Sequence, residues 1–384
     1  MEYLRCYAQV SLPAIGHNID EVRKRLAPGV KLLAVIKADA YGHGACRVGK
    51  YLEPRVNYFA VATLEEAVEL REGGITRPIL ILSYVSPSQY PELVRYEITQ
   101  TIDSLDQAEV LEQAAAQAGK RAKIHIGVDT GMTRIGFQVR EDEADRIAQI
   151  AGFPHLEMEG IFTHFSCADQ EDKSYCQMQL DKFERMYRYL EERKVNIPIR
   201  HICNSAGIME FDRYRFDMVR SGIITYGMYP SEEVMKERLD LIPAMEWKAH
   251  VIHVKDVEAG VSVGYGATFT TSRPVTRIAT VSVGYADGYP RALSGRGSVL
   301  IHGKYAPILG RVCMDQMMVD VSAASGVARG DEAVLFGAGG AQSAAQAAAL
   351  CGTIPYELLC RVSRRVPRLY VQQGKTPFFA NYLE

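Results

Sequence analysis

A lysine closes the apolar run Leu32, Leu33, Ala34, Val35, Ile36, and lysine is among the side chains least often buried unless it is paired or used. At the end of a buried strand, Lys37 either reaches back to solvent or is placed for chemistry. Asp39, Tyr41, Gly42 and Gly44 follow it, a tight polar loop in which backbone can approach an anion closely. Further along lie Arg134 in VDTGMTRIG, His164 after LEMEGIFT, Asn204-Ser205 and Arg220-Ser221-Gly222. Taken singly, Arg134 reads as a surface arginine and His164 as a core histidine. What they share is a place just after an apolar run.

Those runs are the elements that must hold them. Segments 31–36, 57–62, 78–84, 98–102, 123–129, 156–165, 199–203 and 217–220 are short, apolar and of strand length, with helix-like stretches at 64–72, 104–119, 141–150 and 172–194 between them. Alternation of this kind predicts parallel βαβ units, and eight of them predict a (β/α)8 barrel of the TIM type. A doubly wound open sheet is the alternative, disfavoured because no GxGxxG follows the first strand. In a barrel, chemistry collects at the C-terminal strand ends, which is where Lys37, Arg134, His164, Asn204 and Arg220 would lie.

After Pro230 the texture changes. Segments 246–257, 275–285, 297–301, 305–312, 317–321 and 331–336 are β-rich and split by glycines, with no long amphipathic helix before 341–350. This predicts a second, mostly antiparallel β domain, so that 1–240 forms the barrel and 241–384 the β domain. Within it Tyr265 stands between Gly264 and Gly266, and Tyr285 opens the loop YADGYPR. His250 and His253 lack a third ligand at metal spacing, so no metal site is expected.

Composition narrows the function classes. The 384 residues suffice for two cores, and a net charge of −2 offers no basic face for nucleic acid. No apolar run approaches membrane-spanning length, and the N-terminus has no charged leader before an apolar core. Eight scattered cysteines without a CxxC pair fit a reduced, cytoplasmic protein.

The chemistry open to Lys37 is condensation with a carbonyl cofactor, for which pyridoxal 5'-phosphate is the natural candidate because its ring is an electron sink for an α-carbanion. Such a site needs a phosphate cradle, a partner for the pyridine nitrogen, a grip on the substrate carboxylate, and bases. AVIKADAYGHG, VDTGMTRIGF, THFSCAD, HICNSAG, VRSGIITYGMYP, VGYGATF, VGYADGYPR, GRVCMDQMMVD and PYELLCRVSRRVPR together resemble the motif set of the fold-type III alanine racemases, in family order over nearly the whole chain. The resemblance implies a homodimer with shared active sites, acting on a small amino acid and interconverting L- and D-alanine by two bases, with supply of D-alanine for peptidoglycan as its use.

Carried over by position, Lys37 resembles the cofactor-bearing lysine and the base for the D-enantiomer. Tyr265, from the partner subunit, resembles the base for the L-enantiomer. The implied cofactor set is Lys37, Tyr41, His164, Asn204, Ser205, Arg220, Gly222, Ile223 and Tyr356, with Arg220 facing the pyridine nitrogen. Guanidinium has donors but no acceptor, so it withdraws electrons less than a protonated ring would, and transamination is suppressed. Arg134, Met314, Asp315 and Tyr285 resemble the substrate contacts and entryway.

One position departs from the pattern. Where many members carry a carbamate-bearing lysine seven residues before the arginine, this chain has Gly127, so a bound anion such as chloride, or another side chain, is expected to brace Arg134. Three other readings stand beside this one. A serine or broad-specificity racemase is opposed by the bulky Tyr356, a non-catalytic cofactor-binding protein by the β domain, and a decarboxylase by Arg220 where a carboxylate would be needed.

Overall fold

The computed structural model describes residues 5–337, 341–372 and 374–381. A strand β1 (Cys6–Ser11) precedes β2 (Lys31–Val35), β3 (Tyr58–Val61), β4 (Ile79–Ile81), β5 (Thr99–Ile102), β6 (Ala122–Asp129), β7 (Phe137–Gln138), β8 (Leu156–Phe162), β9 (Ile199–His201) and β10 (Met218–Ser221). The order β10-β2-β3-β4-β5-β6-β8-β9 is parallel throughout. It closes on itself, because the N–H groups of Asp217 and Arg220 donate to the Arg200 and Cys203 carbonyls at 3.1 and 3.0 Å. The result is the expected eight-stranded barrel, with β7 as a two-residue addition paired to β6. β3 and β4 are buried at every position, as strands covered on both faces must be.

The helices between strands bury one stripe each. In Ser174–Glu192 the buried residues are Cys176, Gln179, Leu180, Phe183, Met186 and Leu190, a three-and-four spacing that keeps one face on the barrel. In Leu64–Glu72 the Thr63 side chain accepts from the Glu66 N–H and caps the helix.

Two compact units result. One is Gly16–Ala40 with Ala45–Leu241, and the other is Met1–Ile15, Tyr41–Gly44 and Ile242–Glu384. The second contains β1 together with β11 (Met245–Glu258), β12 (Ser262–Val263), β13 (Phe269–Thr270), β14 (Val275–Val281), β15 (Ser298–Ile301), β16 (Lys304–Leu309), β17 (Met317–Asp320), β18 (Glu332–Phe336), β19 (Arg368–Val371) and β20 (Phe378–Ala380). Its main sheet runs β14-β17-β16-β15-β18-β11-β1-β19-β20 and is antiparallel except at β1–β19, with the long β11 also pairing β14. The assignment of all of 1–240 to the barrel does not describe β1, which lies antiparallel to β11 and parallel to β19. Its pairing partners are more than 200 residues away, and no local pattern announces them.

Candidate active site

Lys37 follows β2 by two residues, and the chain after it turns the wrong way round for L-residues. Ala38, Asp39, Ala40 and Tyr41 have φ of 51°, 53°, 54° and 52°, four consecutive left-handed residues at a cost of roughly 1–2 kcal/mol each. Strain of this kind persists only where neighbours over-determine it. Here the Ala40 N–H donates to the Ile36 carbonyl at 2.9 Å, and Asp39 accepts from the Ala45 N–H at 2.8 Å. Glu66 accepts from the N–H groups of Ala38 (2.6 Å) and Ala62 (2.8 Å). Glu66 therefore ties the backbone just after Lys37 to the backbone just after the neighbouring strand β3. The sequence reading expected a tight polar loop here, and the left-handed turn is what makes it tight.

Arg220, in β10, is buried, and its guanidinium donates to the carbonyls of Thr163 (2.8 Å), Ile202 (3.1 Å) and His201 (3.2 Å). It also meets His201 Nδ1 at 2.8 Å and His164 Nδ1 at 3.2 Å. Burial lowers its pKa to about 10, with a smaller push from Arg134, so it remains a cation at neutral pH. His164 is held well below the ordinary imidazole range by burial first, then by the charges of Arg220, Arg134 and Lys37. Geometry points the same way. The Asn204 amide nitrogen lies 3.3 Å from His164 Nε2, and its orientation is fixed because Asn204 Oδ1 accepts from the Gly207 N–H. Both ring nitrogens thus face donors, and an imidazolium would set N–H against N–H twice.

Ser205 opens the helix Ser205–Glu210, and its hydroxyl accepts from the Gly222 N–H at 2.9 Å. Gly222 precedes the 3-10 turn Ile223–Tyr226. First-turn N–H groups of such elements lack intrahelical partners. Three cations around a neutral histidine, with two turn starts beside β9 and β10, form a donor-rich set that suits a phosphate, a carboxylate and a ring nitrogen acceptor. Arg134 stands on the loop after β6, shaped by Asp129, which accepts from the N–H groups of Gly131 and Thr133 at 2.9 Å each. Gly136 has φ 120°, and a Cβ there would lie 2.6 Å from the Asp129 nitrogen. Arg134 is exposed and has no hydrogen-bond or ion-pair partner among the described residues.

The remaining candidates lie in the second unit. Tyr41 and Tyr356 are neighbours there, ring centroids 6.1 Å apart, and burial pushes the Tyr41 phenol up. Tyr265 is 70% exposed, held out by Gly264 and Gly266, both at φ 73°. The hairpin β12–β13 anchors this loop through Val263, which packs with Ile278, Leu309 and the half-buried Phe269 and Met318. Met314 and Tyr285 are 52% and 43% exposed on adjoining loops. These are stitched by Tyr285 N–H to Cys313 O (3.1 Å) and Ala286 N–H to Met314 O (3.0 Å). Asp315 is ion-paired with Arg365.

Beneath those loops sits Asp287, fully buried, ion-paired with Arg5 and Arg365 and accepting from the Gly284 N–H at 2.9 Å. Burial alone would raise its pKa, but these partners hold it below the ordinary carboxylate range. Removing one member of a buried pair costs roughly 3–5 kcal/mol, and the partial exposure of Arg5 favours the lower end. Asp287→Asn is therefore expected to lower the melting temperature clearly at pH 7. The pair's contribution is full above the unfolded carboxylate pKa of about 4 and is lost as pH falls through the lower folded value. Thermal melts below pH 4 should therefore fall more steeply for the natural protein than for the variant.

Sequence reasoning missed Glu66, Asp287, Arg365 and the histidines behind Arg220. Glu66 at the start of a capped helix looks like an ordinary dipole-favoured acid. Among the described residues no three His, Cys, Asp or Glu side chains group as a metal site, and no helix is long and apolar enough to cross a membrane.

Comparison with known proteins places the chain in a family. The family model described as "Alanine racemase, N-terminal domain" matches residues 10–230, and "Alanine racemase, C-terminal domain" matches residues 244–370. The chain is 46% identical over 382 residues to alanine racemase 2 of Caldanaerobacter subterraneus subsp. tengcongensis, covering 98% of this chain and 97% of that one. It is 45% identical to the alanine racemase of Methanococcus maripaludis, covering 95% and 98%. Among solved structures, alanine racemase of Clostridium difficile 630 superposes over 100% of both chains with a TM-score of 0.97 at 41% identity. That of Bacillus anthracis with bound L-Ala-P covers 100% of this chain and 99% of that one, at 0.94 and 35%. The chain belongs to the alanine racemase family.

Proposed function

We propose that the protein interconverts L- and D-alanine in the cytoplasm, supplying D-alanine for peptidoglycan, with pyridoxal 5'-phosphate held at Lys37. When bound, that cofactor supplies the electron sink for the substrate's α-carbon. The observation that carries the reading is Arg220: a buried guanidinium surrounded by histidines and carbonyls, flanked by the charges of Lys37 and Arg134. Ser205, Gly222 and Ile223, with Tyr41 and Tyr356, would hold the phosphate. Neutral His164, fixed by Asn204, would lie between Arg220 and the phenol that works as a base. The protein would act as a homodimer in which Tyr265 and Met314 of the partner subunit complete each site, and their high exposure in the single chain supports this. Tyr285 and Asp315 would line the entry. The test is α-proton exchange and loss of optical activity, starting from each enantiomer in turn, with the purified holoenzyme. Exchange from neither would refute the reading.

Arg134 would bind the substrate carboxylate. With glycine at position 127 and no carboxylate among the described residues touching Arg134, an anion from solution, chloride being the simplest, would brace it. Losing a charged hydrogen bond of 1.5–3 kcal/mol should raise KM for alanine about 10- to 150-fold in Arg134→Ala. A chloride titration at constant ionic strength should lower KM in the natural protein and leave the variant unchanged.

A further inference from the structure

Behind Arg220 a single file of polar side chains crosses the barrel interior. His201 Nε2 lies 2.9 Å from His125 Nδ1, His125 Nε2 lies 3.4 Å from Glu159 Oε2, and Lys123 Nζ lies 2.8 Å from Glu159 Oε1. The Tyr58 ring lies beside His125, centroids 6.4 Å apart. Both histidines are fully buried, and the Phe162 ring stacks on His201 at 4.9 Å and 14°. The file runs from the C-terminal ends of β9 and β10 back to the N-terminal end of β6.

Its proton order is forced from the Arg220 end. Guanidinium only donates, so His201 Nδ1 must accept, which puts the His201 proton on Nε2. His125 Nδ1 then accepts, its own proton sits on Nε2, and that N–H points at the Glu159 carboxylate. Every bond donates in one direction, from a cation to an anion, and both rings are neutral. Burial, reinforced by Arg220, lowers the pKa of His201, and burial lowers that of His125 although Glu159 opposes it. Burial would raise Glu159, yet hydrogen bonds from His125 and Lys123 bring it to about 2. Gly160 supplies the space: a Cβ there would lie 2.5 Å from both Nδ1 and Cε1 of His125. The β6–β8 register shifts beside it, but its φ is not positive, so room for the imidazole is what the missing side chain provides.

We propose that His201, His125 and Glu159 are positioning residues for Arg220. They orient its guanidinium and place its counter-charge two imidazoles away, so that no carboxylate neutralises it by contact. This rests on the reading that Arg220 faces the cofactor's ring nitrogen. An undiminished cation there opposes protonation of that nitrogen, and with it abortive transfer of the amino group to the cofactor with release of the 2-oxo acid.

The experiment has two arms. In cofactor-free protein with 15N-labelled histidine, NMR should show His125 and His201 as neutral Nε2–H tautomers with no titration between pH 5 and 9. Glu159→Gln or Gly160→Ala should disturb that pattern. In the holoenzyme, the ratio of 2-oxo acid released to racemisation turnovers should rise about tenfold in Glu159→Gln, because the chain that orients the guanidinium is broken, an effect of the size seen when residues that hold metal ligands in place are removed and larger than that of losing a distant anion. Lys123→Met should move it less. Titrating histidines or Nδ1–H tautomers would overturn the chain itself. An intact chain with an unchanged ratio in Glu159→Gln, while Arg220→Ala raises it, would overturn the positioning role. If Arg220→Ala also leaves the ratio unchanged, the reading of Arg220 at the ring nitrogen fails, and the proposal falls with it.

Discussion

Replacing Lys37 by alanine is expected to lower kcat/KM for L- and D-alanine together by about 10³-fold or more, since a positioned base alone contributes 10²–10⁴-fold and in the proposed mechanism the same amine would hold the cofactor. The two constants must fall equally. Mirror images have the same free energy in water, so the equilibrium fixes the ratio of forward to reverse kcat/KM at unity for every variant. Lys37→Arg tests which property matters, because it keeps the charge but guanidinium stays protonated and leaves no neutral base. It should be as inactive as alanine. The left-handed turn at 38–41 should survive both changes, since Ile36, Glu66 and Asp39 hold it through backbone groups. Unchanged circular dichroism would separate lost chemistry from lost fold.

Tyr265→Phe should reduce racemisation by about 10²–10⁴-fold, the contribution of one general base, while leaving cofactor binding and thermal stability intact. The side chain is 70% exposed in the single chain, so the fold of its own chain does not depend on the hydroxyl. Solvent isotope exchange should then become one-sided. In deuterium oxide, recovered D-alanine should still gain deuterium through Lys37 far faster than it racemises, and recovered L-alanine should not. Equal exchange into both would mean that Tyr265 is not the base for the L-face. The loop depends on the hairpin below it, in which Val263 packs with Ile278 and Leu309.

The barrel was legible because its strands are buried on both faces and so appear as unbroken apolar runs, such as Tyr58–Val61, separated by amphipathic helices. Arg220, His164 and Arg134 were singled out by their position after such runs and by the motifs around them. What stayed hidden depends on distance in sequence. β1 joins the second unit through partners at β11 and β19, and nothing in CYAQVS names them. His125 and His201 are 76 residues apart, and each alone is an ordinary histidine on a buried strand. Asp287 reads as a turn aspartate until Arg5 and Arg365 are seen to converge on it. The turn after Lys37 was half legible: Gly42 and Gly44 signal unusual backbone, but Ala38, Ala40 and Tyr41 have no preference for positive φ.

The central claim is that the amine at residue 37 and the phenol at residue 265 serve one site from two chains. Mixing Lys37→Ala chains with Tyr265→Ala chains, after verified subunit exchange, measures it directly. Random pairing makes half the dimers mixed with one intact site each, so activity should recover to roughly a quarter of the natural level from two nearly inactive parents. No recovery despite proven exchange would mean that the tyrosine serves the lysine of its own chain, contradicting the account.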